Sequence, residues 1–198
     1  EKLGMHIECA ITYADQPVGA AIGPNLEARE CIRILEGAGH PSSVAEKACD
    51  IAGIILEMGG IRNGAAKARE ILDSGEAMTK FREIVQAQDG NYNISSEDLK
   101  PGQFMAEIRS TKSGYVHAID NKNIVTIART AGSPNDKGAG LLLHRKKGQR
   151  VEAGAVLFEI YADNETKLKR AVEAAERHNP ISIEGMLIRH VTAPKVMR

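Results

Sequence analysis

Gln16-Pro-Val-Gly-Ala-Ala-Ile-Gly-Pro-Asn-Leu-Glu-Ala-Arg-Glu30 joins two kinds of residue pattern. Ahead of it, the alternation in Ile7-Glu-Cys-Ala-Ile-Thr-Tyr13 reads as a strand. Behind it, Leu26, Cys31, Ile32, Ile34 and Leu35 follow a helical pattern that ends at Gly37. Gly19 and Gly23 open backbone angles closed to other residues, so the connecting loop can fold tightly and present its carbonyls. Asn25 is placed to cap the helix. Glu27 and Glu30 bring carboxylates into its first turns, where the dipole favours negative charge. Tightly turned carbonyls beside a fixed carboxylate suit a hard cation. The same residues equally describe a capped strand-to-helix corner, with Glu30 capping its own helix or pairing with Arg33 one turn on.

Downstream the helical period continues. Pro41-Ser-Ser-Val opens a helix with Val44, Ala48, Ile51, Ala52, Ile55 and Leu56 in register up to Gly59-Gly60. Asn63 to Leu72 and Ala77 to Gln88 are two more. The polar run from Gln88 to Gly102 has the composition of a linker. Beyond it come short strands: Met105 to Ser110, Tyr115 to Ile119, Ile124 to Ala128, Leu141 to His144 and Val156 to Tyr161. An amphipathic helix spans Asn164 to Glu176, with Asp163, Asn164 and Glu165 as its start, and a last strand runs from Gly185 to Val191. The expected organisation is α+β. Residues 1–88 form part of an α/β domain, 89–102 a linker, and 103–198 a small β-rich, barrel-sandwich-like α+β domain.

Composition limits the partners. The 198 residues carry 26 basic and 26 acidic side chains, so no charged face points to nucleic acid or to a membrane surface. Aromatic residues make up 4% and Trp is absent, which removes a base-stacking platform. No apolar run approaches the roughly 20 residues of a bilayer span. Cys9, Cys31 and Cys49 each sit in an apolar pattern and read as buried free thiols of a reducing, cytoplasmic compartment. Glu1-Lys-Leu-Gly reads as the capped end of a helix, as if the chain were the C-terminal piece of a longer protein.

Little of the chemistry is catalytic. Of six histidines, His6, His40, His117, His178 and His190 lack an acidic or thiol partner at catalytic spacing, and His144 lies in a strand pattern that suits a hydrogen-bonded structural role. Arg145-Lys146-Lys147 with Arg150 reads as a solvated hairpin. No nucleophile triad, phosphate-binding Gly loop or metalloprotease helix is present, and no residue is assigned a catalytic role. Ser113-Gly-Tyr-Val116 and Lys146-Lys-Gly-Gln-Arg-Val151 resemble elements of biotinyl and lipoyl carrier domains. A carrier, however, needs its modified Lys at an exposed hairpin tip, and Gly132-Ser-Pro-Asn-Asp-Lys137 matches neither carrier pattern.

The ordered set of Gln16-Pro-Val-Gly19, Gly23-Pro-Asn-Leu-Glu27, Thr111-Lys-Ser-Gly-Tyr-Val116, Gly138 to Val151 and Glu152-Ala-Gly-Ala-Val-Leu157 resembles the nucleoside phosphorylase family of thymidine, pyrimidine-nucleoside and AMP phosphorylases, most closely its archaeal-type AMP branch. The resemblance implies a parent enzyme, a pentosyltransferase, that uses inorganic phosphate to release the base from a nucleotide or nucleoside. That family's phosphate loop and base-binding residues are not in this sequence, so the chain alone is expected to be inactive and to need no cofactor. The family's potassium-type cation site maps by resemblance onto the carbonyls of Val18 and Ala21 and the carboxylate of Glu30. Phosphate and a nucleotide or nucleoside are the implied partners, and the family's N-terminal region implies a homo-oligomer. The competing reading is a non-enzymatic carrier or binding module of the biotinyl type.

Overall fold

The structure, a computed structural model, describes residues 4, 6–38, 42–187 and 190. It divides into two compact units, Glu1–Gly19 with Glu27–Leu99, and Ala20–Leu26 with Lys100–Arg198. The fold is α+β, with every described strand in the second unit.

Helices make up the first unit: most of α1 (Pro24–Leu35), then α2 (Ser43–Met58), α3 (Gly64–Asp73) and α4 (Glu76–Ala87). Ser42 caps α2 by accepting a hydrogen bond from the Ala45 amide at 3.3 Å. Helices α2 and α3 touch backbone to backbone. A methyl group on Gly64 would lie 2.0 Å from the Gly53 carbonyl oxygen, which explains a glycine inside a helix that otherwise loses stability by it. Glu57 completes the joint by accepting from the Gly64 amide at 2.9 Å. A 3-10 turn at Ser96–Asp98 is fastened by Glu36, whose carboxylate takes the Ser96 amide at 2.9 Å and its hydroxyl at 2.6 Å.

The strand expected over Ile7–Tyr13 does not form. The segment has no regular structure, and Ile7 and Ile11 are exposed. Alternation alone cannot make a strand; its amides and carbonyls need a neighbouring strand, and none of the described strands pairs with residues 7–12. Cys9 is exposed with it, and Cys31 lies on an exposed face of α1, so only Cys49 of the three thiols is buried as expected.

In the second unit β1 (Ala21–Ile22), β2 (Phe104–Arg109), β3 (Gly114–Ile119), β4 (Gly140–Leu143), β5 (Arg150–Val151), β6 (Val156–Ala162) and β7 (Ile181–Glu184) form two antiparallel sheets. Their orders are β1-β4-β6-β2 and β5-β3-β7. With α5 (Asn121–Ala131) and α6 (Glu165–His178) they enclose one core. Phe158, Ile160 and Ala162 point inward at alternate positions of β6, and Ala171, Ala174 and Ala175 let α6 sit close against them. Asn164 caps α6 through the Thr166 and Lys167 amides, as the sequence pattern implied.

Two expectations in this unit are corrected. Ile124 to Ala128 is helical, inside α5, rather than a strand. Asp120 caps it through the Asn123 amide at 3.0 Å, and Ile124, Ile127, Ala128 and Ala131 are buried at i, i+3, i+4 and i+7. The β-branched residues disguise that period. The final strand is Ile181–Glu184, earlier than Gly185 to Val191. Glu184 already lies opposite Tyr115 at the start of β3, so Met186 and Leu187 have no strand to join and are exposed. The rest of that expected strand, at 188, 189 and 191, lies outside the described residues, as does His40.

Phe158 is fully buried between the sheets. Phe158→Ala is expected to cost about 3–5 kcal/mol in urea unfolding, whereas the exposed Lys169→Ala stays within about 0.5 kcal/mol.

Candidate functional site

The loop from Gln16 to Gly23 is built around its two glycines. Gly19 has φ +76°, and a methyl group there would lie 2.5 Å from Glu30 Oε2 and 2.6 Å from Val44 Cγ2. Its amide donates to Ser43 Oγ at 3.0 Å. The Glu30 carboxylate therefore lies directly against the peptide that follows Val18, and only a residue without a side chain fits between them. Gly23 has φ +118°, with a methyl position 2.3 Å from the Ala139 carbonyl oxygen.

Helix α1 begins two residues earlier than the capping reading of Asn25 requires. Pro24 takes the first helical position, where its missing amide hydrogen costs nothing. Asn25 instead donates from its amide to the Lys137 carbonyl at 3.1 Å and from Nδ2 to the Lys100 carbonyl at 2.9 Å. Its side chain points to another part of the chain, so no N-cap geometry forms at that position.

The residues implied as cation ligands are placed as follows. Val18 is an exposed loop residue and Glu30 a half-buried residue of α1, both in the first unit. Ala21 is buried in β1 of the second unit. The Leu143 amide donates to the Ala20 carbonyl at 2.8 Å, which puts residue 20 in a hydrogen-bonded pair and turns the Ala21 carbonyl away from β4. Loop carbonyls with one carboxylate are an all-oxygen donor set, the chemistry a hard cation takes. Among the described residues no three His, Cys, Asp or Glu side chains come together as metal ligands.

Glu30 and Glu27 also act on their neighbour. The Cys31 thiol is pushed above its ordinary value near 9.0, first by partial burial of the sulfur on an otherwise exposed residue, then by the Glu30 and Glu27 carboxylates.

Elsewhere the polar residues serve the fold. His144 pairs through Nε2 with Glu159 Oε1 at 3.0 Å, and Tyr161 donates to the other oxygen of Glu159 at 2.5 Å. This confirms a hydrogen-bonded His144. Glu159 and Tyr161 went unnoticed in the sequence, although their alternation with Phe158, Ile160 and Ala162 puts them together on the opposite face of β6. His6 has an acidic partner after all, Glu8 at 2.9 Å, on an exposed segment. Arg150 is exposed and pairs with Glu152 at 3.0 Å, as a solvated hairpin requires.

Residues 115–182 match the pyrimidine nucleoside phosphorylase C-terminal domain. With the ordered motifs around the glycine loop, this match makes the chain similar to the nucleoside phosphorylase family. More particularly, it is similar to an AMP phosphorylase of Methanosarcina mazei, 47% identical over 96% of this chain and 38% of that protein. It is also similar to the AMP phosphorylase of Pyrococcus abyssi, at 48% over 95% of this chain and 38% of the relative. The Thermococcus kodakarensis AMP phosphorylase matches at 46% over 96% and 39%. The chain thus spans well under half the length of these relatives.

Because the folded state holds the Cys31 proton to higher pH than an unfolded chain does, its thiolate is scarce at pH 8. The same group subtracts stability as pH rises from about 9 toward its raised folded value. Iodoacetamide at pH 8 should therefore modify the exposed Cys9 before Cys31, with buried Cys49 last. Glu30→Gln should speed the Cys31 reaction at fixed pH, read by peptide mass spectrometry.

Proposed function

We propose that this chain is the C-terminal part of an AMP phosphorylase. The observation that carries the reading is the similarity to AMP phosphorylases along nearly the whole chain, glycine loop included. In the proposed reaction a phosphate oxygen attacks the anomeric carbon of AMP. The bond from that carbon to the base breaks, and the departing adenine takes a proton, leaving ribose 1,5-bisphosphate. Catalysis of this kind rests on aligning the phosphate and stabilising the leaving base. Thymidine cleavage by the same chemistry is the second reading, favoured by the name of the C-terminal domain family.

In this account the present chain contributes scaffold. Its residues hold neither phosphate nor base, so alone it is inactive. The parent in this reading is a cytoplasmic homo-oligomer. Val18, Ala21 and Glu30 would hold a potassium-type cation. When bound, such an ion supplies fixed positive charge that pins the loop. Glu30 offsets that charge, and Gly19 keeps the carboxylate against the loop backbone.

Phosphate-dependent release of adenine from AMP by the whole parent, measured against CMP, UMP and thymidine, tests the reading. Thymidine as the preferred substrate would replace it, and no base release from any of the four would end it. In the active parent, Glu30→Gln is expected to lower activity about tenfold or more and to raise the potassium needed, with KM for phosphate affected more than KM for AMP. A rate indifferent to potassium and to the substitution would leave Glu30 as a loop anchor only.

A further inference from the structure

The sequence holds one Asn-Gly pair, Asn63-Gly64, and it falls where helices α2 and α3 meet backbone to backbone. Such a pair carries a latent reaction. The nitrogen of the following residue attacks the Asn side-chain carbonyl carbon, and glycine, with no Cβ, leaves that approach open. Asn63 is exposed, sits in the left-handed region at φ +55°, and makes no capping hydrogen bond with its side chain. Its amide group therefore faces water. Gly64 is buried instead, and its N–H donates to Glu57 Oε1 at 2.9 Å. An amide nitrogen attacks only after giving up its proton. A carboxylate that accepts that hydrogen bond sets negative charge where the nitrogen would itself have to become negative. The electrophile is open and the nucleophile is closed.

We propose that Asn63 is a covalent modification site that the fold keeps silent through Glu57, and that modification made while the joint is open stops α2 and α3 from closing again. In the step itself a bond forms between the Gly64 nitrogen and Asn63 Cγ. The Cγ–Nδ2 bond breaks, and the displaced nitrogen leaves as ammonia with the Gly64 proton. Water then opens the five-membered ring. Addition at Cγ leaves aspartate at position 63 in an ordinary backbone. Addition at the backbone carbonyl carbon leaves isoaspartate, with the chain rerouted through the former side chain and one methylene longer. The two products part at this joint. Aspartate suits the residue ahead of a helix, where a carboxylate meets free amides. Isoaspartate displaces the Gly64 backbone at a contact with no slack. A methyl group on Gly64 would lie 2.0 Å from the Gly53 carbonyl oxygen, and one on Gly53 2.4 Å from the Ala65 nitrogen, so the extra atom has nowhere to go.

Peptide mass spectrometry at pH 8 reads the reaction from the amide-to-acid mass change at position 63, and isoaspartyl methyltransferase separates the two products. In the folded chain the reaction is expected to run about tenfold or more slower than in the same chain held in urea. Glu57→Gln, which keeps a hydrogen-bond acceptor without the charge, should raise the folded rate about threefold. Equal rates in buffer and urea overturn the proposal, as does a folded Glu57→Gln chain that reacts no faster. Chains aged in urea and returned to buffer test the consequence independently of Glu57. Molecules with isoaspartate are expected to lack slowed hydrogen exchange across α3, whereas Asn63→Asp regains it. Protection of α3 in the isoaspartate molecules overturns the proposal. Loss of protection in Asn63→Asp as well assigns the effect to charge rather than backbone length and overturns it equally.

Discussion

The close approach of β1 to β4 at Gly140 is the constraint on which the second unit depends. A methyl group on Gly140 would lie 2.0 Å from the Ile22 carbonyl oxygen, and one on Gly23 would lie 2.3 Å from the Ala139 carbonyl oxygen. Two glycines more than a hundred residues apart in sequence thus let two backbones meet where side chains would hold them apart. Through that contact a two-residue strand, Ala21–Ile22, extends a sheet otherwise built from residues beyond 100. The ladder places Ala21 opposite Leu142 and fixes which way its carbonyl faces.

Packing follows from the same economy. With few aromatic residues, the core draws on Ile, Leu, Val and Ala, and Phe158 is its largest fully buried side chain. The alanines of α6 allow a close helix-to-sheet distance, so small residues do the work that ring-stacking does elsewhere. In the first unit Gly53 and Gly64 play the equivalent part between α2 and α3. Both units reach native density by bringing backbones together, which makes their glycines harder to replace than many of their apolar side chains.

The Glu30 carboxylate links fold and chemistry. It fills the space a side chain at position 19 would take, raises the Cys31 thiol, and presents negative charge beside a loop peptide. A carboxylate held that firmly by sterics loses little freedom on meeting a cation. The rest of the polar inventory, including His144 with Glu159 and Tyr161, and Ser96 with Glu36, closes hydrogen bonds between distant parts of each unit.

Local patterns in the sequence determined the helices α2, α3, α4 and α6, the strands β2, β3, β4 and β6, the α+β class and the family resemblance, because each rests on periodicity, turn residues or an ordered set of short motifs. They also pointed to Gly19 and Glu30, since glycine and a carboxylate at a strand-to-helix corner carry their chemistry with them. Tertiary structure decided what depends on a partner distant in sequence. Ile124 to Ala128 became a helix because Asp120 capped it and a core lay on one side. Ile7 to Tyr13 formed no strand, since none of the described strands pairs with it. β1 itself was invisible in the sequence, for two residues have no period, and only the space above Gly140 makes them a strand.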